Sequence, residues 1–212
     1  MFFDVVRSIV FDLNGTLVVE RYLRPDDMLE RVLKCQRRGR NLSSEDLKGV
    51  ARGEWSLAKV IAKIYDVKNS EYTATQYYEK QASRVSFRLS AQEVLNELRK
   101  QYQLILCSDT TGIAKEVCKN LNLHDYFENI FFSCDLGHLK SEREFWIEML
   151  SHFQELKTHE ILVVGDNPRA DTFHPNRLGM HTILIENPIK LDLDYREAAT
   201  NAYEEKPEHR IT

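Results

Sequence analysis

Four stretches of the chain carry residue types that could act together on an anion. They are Asp12-Leu13-Asn14-Gly15-Thr16, Ser108-Asp109-Thr110-Thr111, Lys140, and Gly165-Asp166-Asn167 with Asp171 shortly beyond. Three of the four close a short apolar run: SIVFDL at 8–13, QLILCSD at 103–109 and ILVVGDN at 161–167. A single aspartate after such a run is ordinarily a turn or cap residue. Three acidic ends with a lysine nearby point elsewhere, because carboxylates brought into one crevice repel each other and require a cation. Hard oxygen donors of this kind suit Mg²⁺.

The elements that must position these residues follow from the apolar pattern. The three runs, with NIFFSCD at 129–135 and HTILIEN at 181–187, are too short and too continuous for surface helices and read as buried parallel strands. Helical spacing appears between them. Val94, Leu95 and Leu98 share one face, with Ser90 as the expected N-cap. Ile113, Val117 and Leu121 form a second face, and Phe145, Met149 and Phe153 a third. Strand–helix alternation implies a doubly wound α/β layer fold, in which ligands bind beyond the C-terminal ends of the strands. Lys140 falls in a loop between the third strand and the next helix.

Residues 17–89 interrupt this rhythm, being far longer than an ordinary crossover. They show helical patterns near 25–38, 43–51, 55–65 and 71–83 and no convincing strand. Pro25 with Asp26 and Asp27 marks a helix start. Between Arg21 and Arg52 lie nine Lys or Arg and five Asp or Glu, either a solvated helical face or an anion-attracting surface above a site. Linkers near Leu17–Arg21 and Phe87–Ser90 would let the insertion move.

The ordered motifs resemble those of the haloacid dehalogenase-like (HAD) hydrolase superfamily. Its DxDGT matches Asp12-Leu13-Asn14-Gly15-Thr16, its Ser or Thr matches Ser108, its lysine matches Lys140 in GHLKSEREFW, and its GDxxxxD matches Gly165-Asp166 and Asp171. The resemblance implies an α/β, Rossmann-like core of mostly parallel strands, built from 1–16 and 90–212. A helical cap, 17–89, would be inserted after the first strand. It also implies Mg²⁺-dependent phosphoryl transfer. Asp12 would be the nucleophile that forms an aspartyl-phosphate, since a carboxylate attacks without deprotonation at pH 7. Asp12, the backbone carbonyl of Asn14 and Asp166 would hold the metal, with Asp171 behind them. Ser108 would hydrogen-bond the phosphoryl group and Lys140 would neutralise its charge. Gly15 would allow the tight turn beneath it. Thr16, Asp109 and Gly165 would support the site.

Asn14 departs from the family pattern. Phosphatases of the family carry an aspartate there as general acid and base, and an amide cannot exchange a proton at neutral pH. General acid–base help is worth roughly 10²–10⁴-fold. Three readings follow: a slow phosphatase acting on activated substrates, a binding or regulatory protein that kept the fold and lost turnover, or an engineered substitution meant to trap substrate. Dehalogenases and phosphonatases of the superfamily also lack this aspartate. Lys140, Gly165 and Asp166 fit the phosphoryl-transfer pattern better than the dehalogenase one. A phosphonatase would need a Schiff-base lysine from the insertion, and Lys34, Lys48, Lys59 and Lys63 are candidates that nothing in the sequence separates. After Asp171, Pro175 should kink the next helix or delay its start.

Composition bounds the rest. The chain has 212 residues and a formal net charge of −4, which argues against a nucleic-acid-coating protein. No apolar run is long enough for a bilayer. The N-terminus lacks a signal-peptide pattern, and Cys35, Cys107, Cys118 and Cys134 show no metal-binding spacing. These features lead to the expectation of a cytoplasmic protein with no membrane or nucleic-acid partner and the oligomeric state open, and the family resemblance implies a small phosphorylated molecule as its substrate. Tyr195 and Tyr203 are candidate anchors for an acidic tail.

Overall fold

The structure, a computed structural model, describes residues 5–185 and the backbone of 209–211; the tail around Tyr195 and Tyr203 lies outside them. Its strands and helices in chain order are β1 Ser8–Asp12, β2 Val18–Glu20, α1 Pro25–Asp27, β3 Gln36–Arg37, α2 Ser44–Ala51, α3 Leu57–Ile64, β4 Tyr65–Asp66, α4 Ser70–Ala82 and β5 Val85–Phe87. There follow α5 Ala91–Leu98, β6 Gln103–Ser108, α6 Ile113–Asn120, β7 Asn129–Phe132, α7 Ser133–Leu136, α8 Arg143–Ser151, β8 Ile161–Gly165, α9 Phe173–Arg177, β9 His181–Ile185 and β10 His209–Ile211.

Six strands form one sheet in the order β10-β9-β8-β1-β6-β7, and its pairings are parallel. The period of two decides which side chains meet which layer. Ile9, Phe11, Leu104, Leu106, Leu162 and Val164 face one cluster with residues of α5 and α6. Their neighbours Val10, Ile105, Cys107, Ile161 and Val163 face the other, with Phe145, Trp146 and Met149 of α8. Both faces of the sheet are therefore covered, which explains the unbroken apolar runs. From β1 the chain first goes outward to β6 and β7 and later returns to β8 on the other side. The order thus reverses beside β1, where an open α/β sheet leaves a crevice.

The insertion has its own apolar centre, including Met28, Leu29, Leu57, Ile61, Tyr65 and Tyr77. Its longer helices begin with caps that the sequence carries. Ser43 and Asp46 form a capping box for α2, Ser56 caps α3 and Asn69 caps α4.

The expectation of a strandless insertion needs correction. The linkers pair as an antiparallel ribbon, Val18 opposite Phe87 and Glu20 opposite Val85, and β3 pairs with β4. Strands of two and three residues are too short to show a period. The helix expected to reach residue 38 runs through α1 and a wider turn, Met28–Val32, and stops there. Lys34 then adopts φ +58°, which no helix accommodates. The run at 129–135 is strand only to Phe132, because Ser133 opens α7 with its hydroxyl committed to the Thr110 N–H at 2.9 Å.

Two further corrections concern α5. Val94 points to solvent, 47% exposed, and Leu95 is the buried residue. Ser90 is not a capping side chain: it sits at φ +64° and makes no cap hydrogen bond. The left-handed region is costly for any residue with a Cβ. Ser90→Gly is therefore expected to stabilise the fold by about 0.5–1 kcal/mol, visible as a higher midpoint in thermal melting. A lower midpoint would show that the serine side chain contributes more than its backbone costs.

The basic stretch also resolves. Arg31, Arg37, Arg38, Arg40, Lys48 and Arg52 each pair with a carboxylate. Four of these partners lie within the stretch itself, and only Asp66 and Glu142 come from outside it, so part of the local positive excess remains. No helix among the described residues is long and apolar enough to cross a membrane.

Candidate active site

Strand register brings the predicted residues together. Asp12 lies opposite Cys107 and Phe11 opposite Val164, so the C-terminal ends of β8, β1 and β6 are level. Asp12, Ser108 and Asp166 leave those three ends and are all buried.

Lys140 enters from the loop between α7 and α8 and is 2% exposed. Its Nζ donates to Asp12 Oδ1 at 2.5 Å and to Asp171 Oδ1 at 2.6 Å. Asp12 Oδ2 accepts from Thr16 Oγ1 at 3.0 Å, so Thr16 closes the turn from the other side. Asp109 Oδ1 accepts the Lys140 N–H at 2.8 Å and Trp146 Nε1 donates to the Lys140 carbonyl at 2.7 Å, which fixes the lysine backbone. Ser108 has only a 3.5 Å contact from Oγ to the Asp109 carbonyl.

Asp171 is fully buried. Its Oδ2 accepts the Asn167 N–H at 2.9 Å, and Asn167 Oδ1 in turn caps the wide turn Pro168–Thr172 through Arg169 and Ala170. Gly165 is required by this approach: a Cβ there would stand 2.2 Å from Asp171 Cγ. Pro175 falls in the first turn of the late-starting α9, where a missing N–H costs little, so the expected delay of that helix occurs.

Charge is unbalanced here. Burial acts to lower the Lys140 ammonium, but Asp12, Asp171 and Asp109 overcome it and hold the pKa well above the usual lysine range. Burial pushes the Asp171 carboxyl up to about 7 against the pull of Lys140, with Asp12 adding to the rise. Burial also raises Asp109. A single ammonium thus faces three carboxylates, with Asp166 close beside two of them. Donor oxygens of Asp12, Asp166 and Asp171 lie within 4.8 Å of one another. An all-oxygen set with surplus negative charge fits a hard divalent cation such as Mg²⁺.

Residue 14 is tied to the insertion. The Tyr22 hydroxyl donates to Asn14 Oδ1 at 3.3 Å, and burial holds the Tyr22 phenol well above its usual range, hence protonated. Gly15 turns at φ +79°, with its carbonyl accepting from Arg88 Nη1 at 2.6 Å. A cavity of about 270 Å³ opens beside Asn14, Asp109 and Thr110 and is roofed by Leu47, Lys48 and Ala51 of α2.

Sequence reasoning missed several of these contributors. Tyr22 and Arg88 left no local signal. Thr110 did: a hydroxyl shortly before a helical pattern is a cap signature, and its Oγ1 accepts from Gly112 and Ala114. Tyr78 of α4 binds the Thr111 carbonyl from across the insertion. Of the four candidate lysines, the cavity singles out Lys48.

A parallel, doubly wound sheet with an acidic centre at three adjacent strand ends defines a Rossmann-like α/β protein with a helical insertion. The chain matches the profile of haloacid dehalogenase-like hydrolases over residues 6–172 and belongs to that family. No curated protein matches it in sequence. Among solved structures it is similar to a HAD family enzyme of Bacteroides thetaiotaomicron in complex with magnesium and inorganic phosphate. The identity is 18%, covering 90% of this chain and 100% of that one, with a TM-score of 0.64. It is also similar to a 2-haloacid dehalogenase of Pseudomonas syringae, at 19% identity over 97% and 94% of the two chains and a TM-score of 0.64. A third is a magnesium-bound HAD-hydrolase of Bacillus subtilis, at 15% identity over 97% and 94% and a TM-score of 0.61. At these identities the likeness is one of fold.

Proposed function

We propose that the protein is a Mg²⁺-dependent phosphoric monoester hydrolase, working through an aspartyl-phosphate on Asp12 and slowed by Asn14. The observation that carries this reading is the Asp12 carboxylate, buried at the end of β1 and held between Lys140 and Thr16. Asp12, Asp166 and the backbone carbonyl of residue 14 would hold the metal, with Asp171 behind them. When bound, Mg²⁺ supplies the positive charge that lets a phosphate enter among carboxylates.

The chain's own residues do the remainder. Asp12 attacks phosphorus, the P–O bond to the leaving group breaks, and the leaving group departs with that electron pair. Lys140 offsets the charge that Asp12 and the phosphoryl oxygens share. Ser108 orients one phosphoryl oxygen. Asn14, held by Tyr22, positions the leaving oxygen or the attacking water without exchanging a proton. Water then cleaves the aspartyl-phosphate and frees phosphate and Asp12. Residues 17–89 act as the cap that selects the small phosphorylated substrate. Four unpaired cysteines favour a reducing, cytoplasmic setting.

The purified chain is expected to release p-nitrophenol from p-nitrophenyl phosphate with Mg²⁺, to stop when EDTA removes the metal, and to lose all turnover as Asp12→Asn. Activity that survives Asp12→Asn would overturn the nucleophile. Silence of the parent chain across aryl and acyl phosphates would favour the alternative that Asn14 suggests, a phosphate-ligand or protein-binding homologue without turnover.

A further inference from the structure

The cavity beside the acidic centre is bounded on the core side by Asn14, Asp109 and Thr110 and on the insertion side by α2. Its volume of about 270 Å³ is the space of about nine water molecules at roughly 30 Å³ each. A leaving group reaching outward past Asn14 and Asp109 would enter it. Lys48 is the one cation among the described residues that line it.

Helix α2 is not free to carry Lys48 away. Arg52, one helical turn further along and on the same side, places two nitrogens on Glu142 Oε1 at 3.0 and 2.7 Å. The other oxygen of Glu142 accepts the Leu139 N–H at 2.7 Å, next to Lys140. Gly53 packs so closely on the Cys134 carbonyl that a Cβ would stand 2.5 Å from it. The face of α2 that bears Lys48 is therefore clamped over the strand ends.

The plainest role for Lys48 is its pair with Glu45 at 2.8 Å. Both side chains are more than half exposed, and such helical pairs are worth only about 0.3–0.5 kcal/mol. A ligand already anchored by its phosphoryl group presents a second anion at high effective concentration and displaces Glu45. Asp109, the acidic residue among those lining the cavity, is engaged with the Lys140 N–H.

We infer that the substrate is a compact phosphomonoester with a second anionic group, a carboxylate or a second phosphate, which Lys48 receives at the cap end of the cavity. This rests on the phosphatase reading for the position of the transferred phosphoryl group. Lys48 thereby determines specificity.

Three probes test it: 3-phosphoglycerate, propane-1,3-diol bisphosphate and glycerol 3-phosphate. KM is measured with the parent chain. Affinity is measured by calorimetry with Mg²⁺ on the parent chain in the cold, where the slow turnover expected of Asn14 leaves the probes intact and Asp12 stays in place to hold the metal. One or both of the doubly anionic probes should bind about two- to fivefold tighter than glycerol 3-phosphate, the worth of one partly exposed ion pair. Whichever is favoured identifies the anion. Lys48→Met should erase that ratio and Lys48→Arg should keep most of it. Equal binding of all three probes, binding of none, or a preference that survives Lys48→Met overturns the inference. A chain that ranks the probes as expected yet never releases phosphate would retain Lys48 as an anion receptor and sink the hydrolase reading instead.

Discussion

The Asn14→Asp chain is expected to turn over an alkyl phosphate faster than the parent by roughly 10²–10⁴-fold, the usual worth of general acid–base catalysis. On the proposed mechanism, attack by Asp12 needs no base, and an aryl leaving group departs unprotonated. An alkoxide does not leave readily, and the water that cleaves the aspartyl-phosphate must lose a proton. Both transfers fail at an amide and return with a carboxylate. The replacement is nearly isosteric, and Tyr22 donates to residue 14 in either form. The gain on an aryl phosphate should be smaller, because only the second transfer matters there. The check is kcat for both chains on both substrates. Intact-mass analysis of the parent must accompany it, since Asn14 precedes Gly15 and a deamidated fraction would mimic slow intrinsic turnover. Equal rates on both substrates would mean that residue 14 is not the missing proton carrier.

Lys140→Met is expected to cost about 3–5 kcal/mol of folding stability, as breaking buried ion pairs does. The ammonium sits between Asp12 and Asp171 with all three groups buried. Methionine fills much of the same space without the charge, so Asp171 must either take up a proton or face Asp12 as a second charge in a poorly solvated site. Urea denaturation with chelator present measures the loss. Adding Asp171→Asn should return part of it, because one of the stranded charges is then gone. A loss below about 1 kcal/mol, the range of exposed pairs, would mean that the cluster is better solvated than its burial indicates.

The sheet was legible because its strands are covered on both faces. Val10 and Phe11 are both buried though they point to opposite layers, so β1 appears in sequence as an unbroken apolar run ending at Asp12. The acidic centre was legible because its members leave adjacent strand ends and carry a recognisable order of motifs. The helical caps Ser43, Ser56 and Asn69 precede their helices, as local chemistry requires. The ribbon of β2 and β5 was not legible: its pairing depends on residues brought together from opposite ends of the insertion. The same holds for Tyr22 on Asn14 and Arg88 on Gly15. Such contacts arise only once the insertion has folded back on the core, and no local spacing encodes them. Ser90 misled for the opposite reason. A serine before a helix is a cap by composition, but β5 delivers it to a turn with positive φ.

The pairing of β2 with β5 has an architectural consequence. The two crossings between core and insertion run side by side, hydrogen-bonded, with Glu20 opposite Val85. Paired residues of this kind stand about 4.5–5.5 Å apart, the span that a two-residue hairpin turn closes. In chain connectivity the insertion is a cassette, with entry and exit at one doorway. The intervening segment also touches the core through Tyr22 on Asn14, Tyr78 on Thr111 and Arg52 on Glu142, so an exchanged segment would have to replace those contacts. On the reading of the insertion as a cap, a replacement joined at the β2–β5 ribbon would change the roof over the acidic centre at a single doorway.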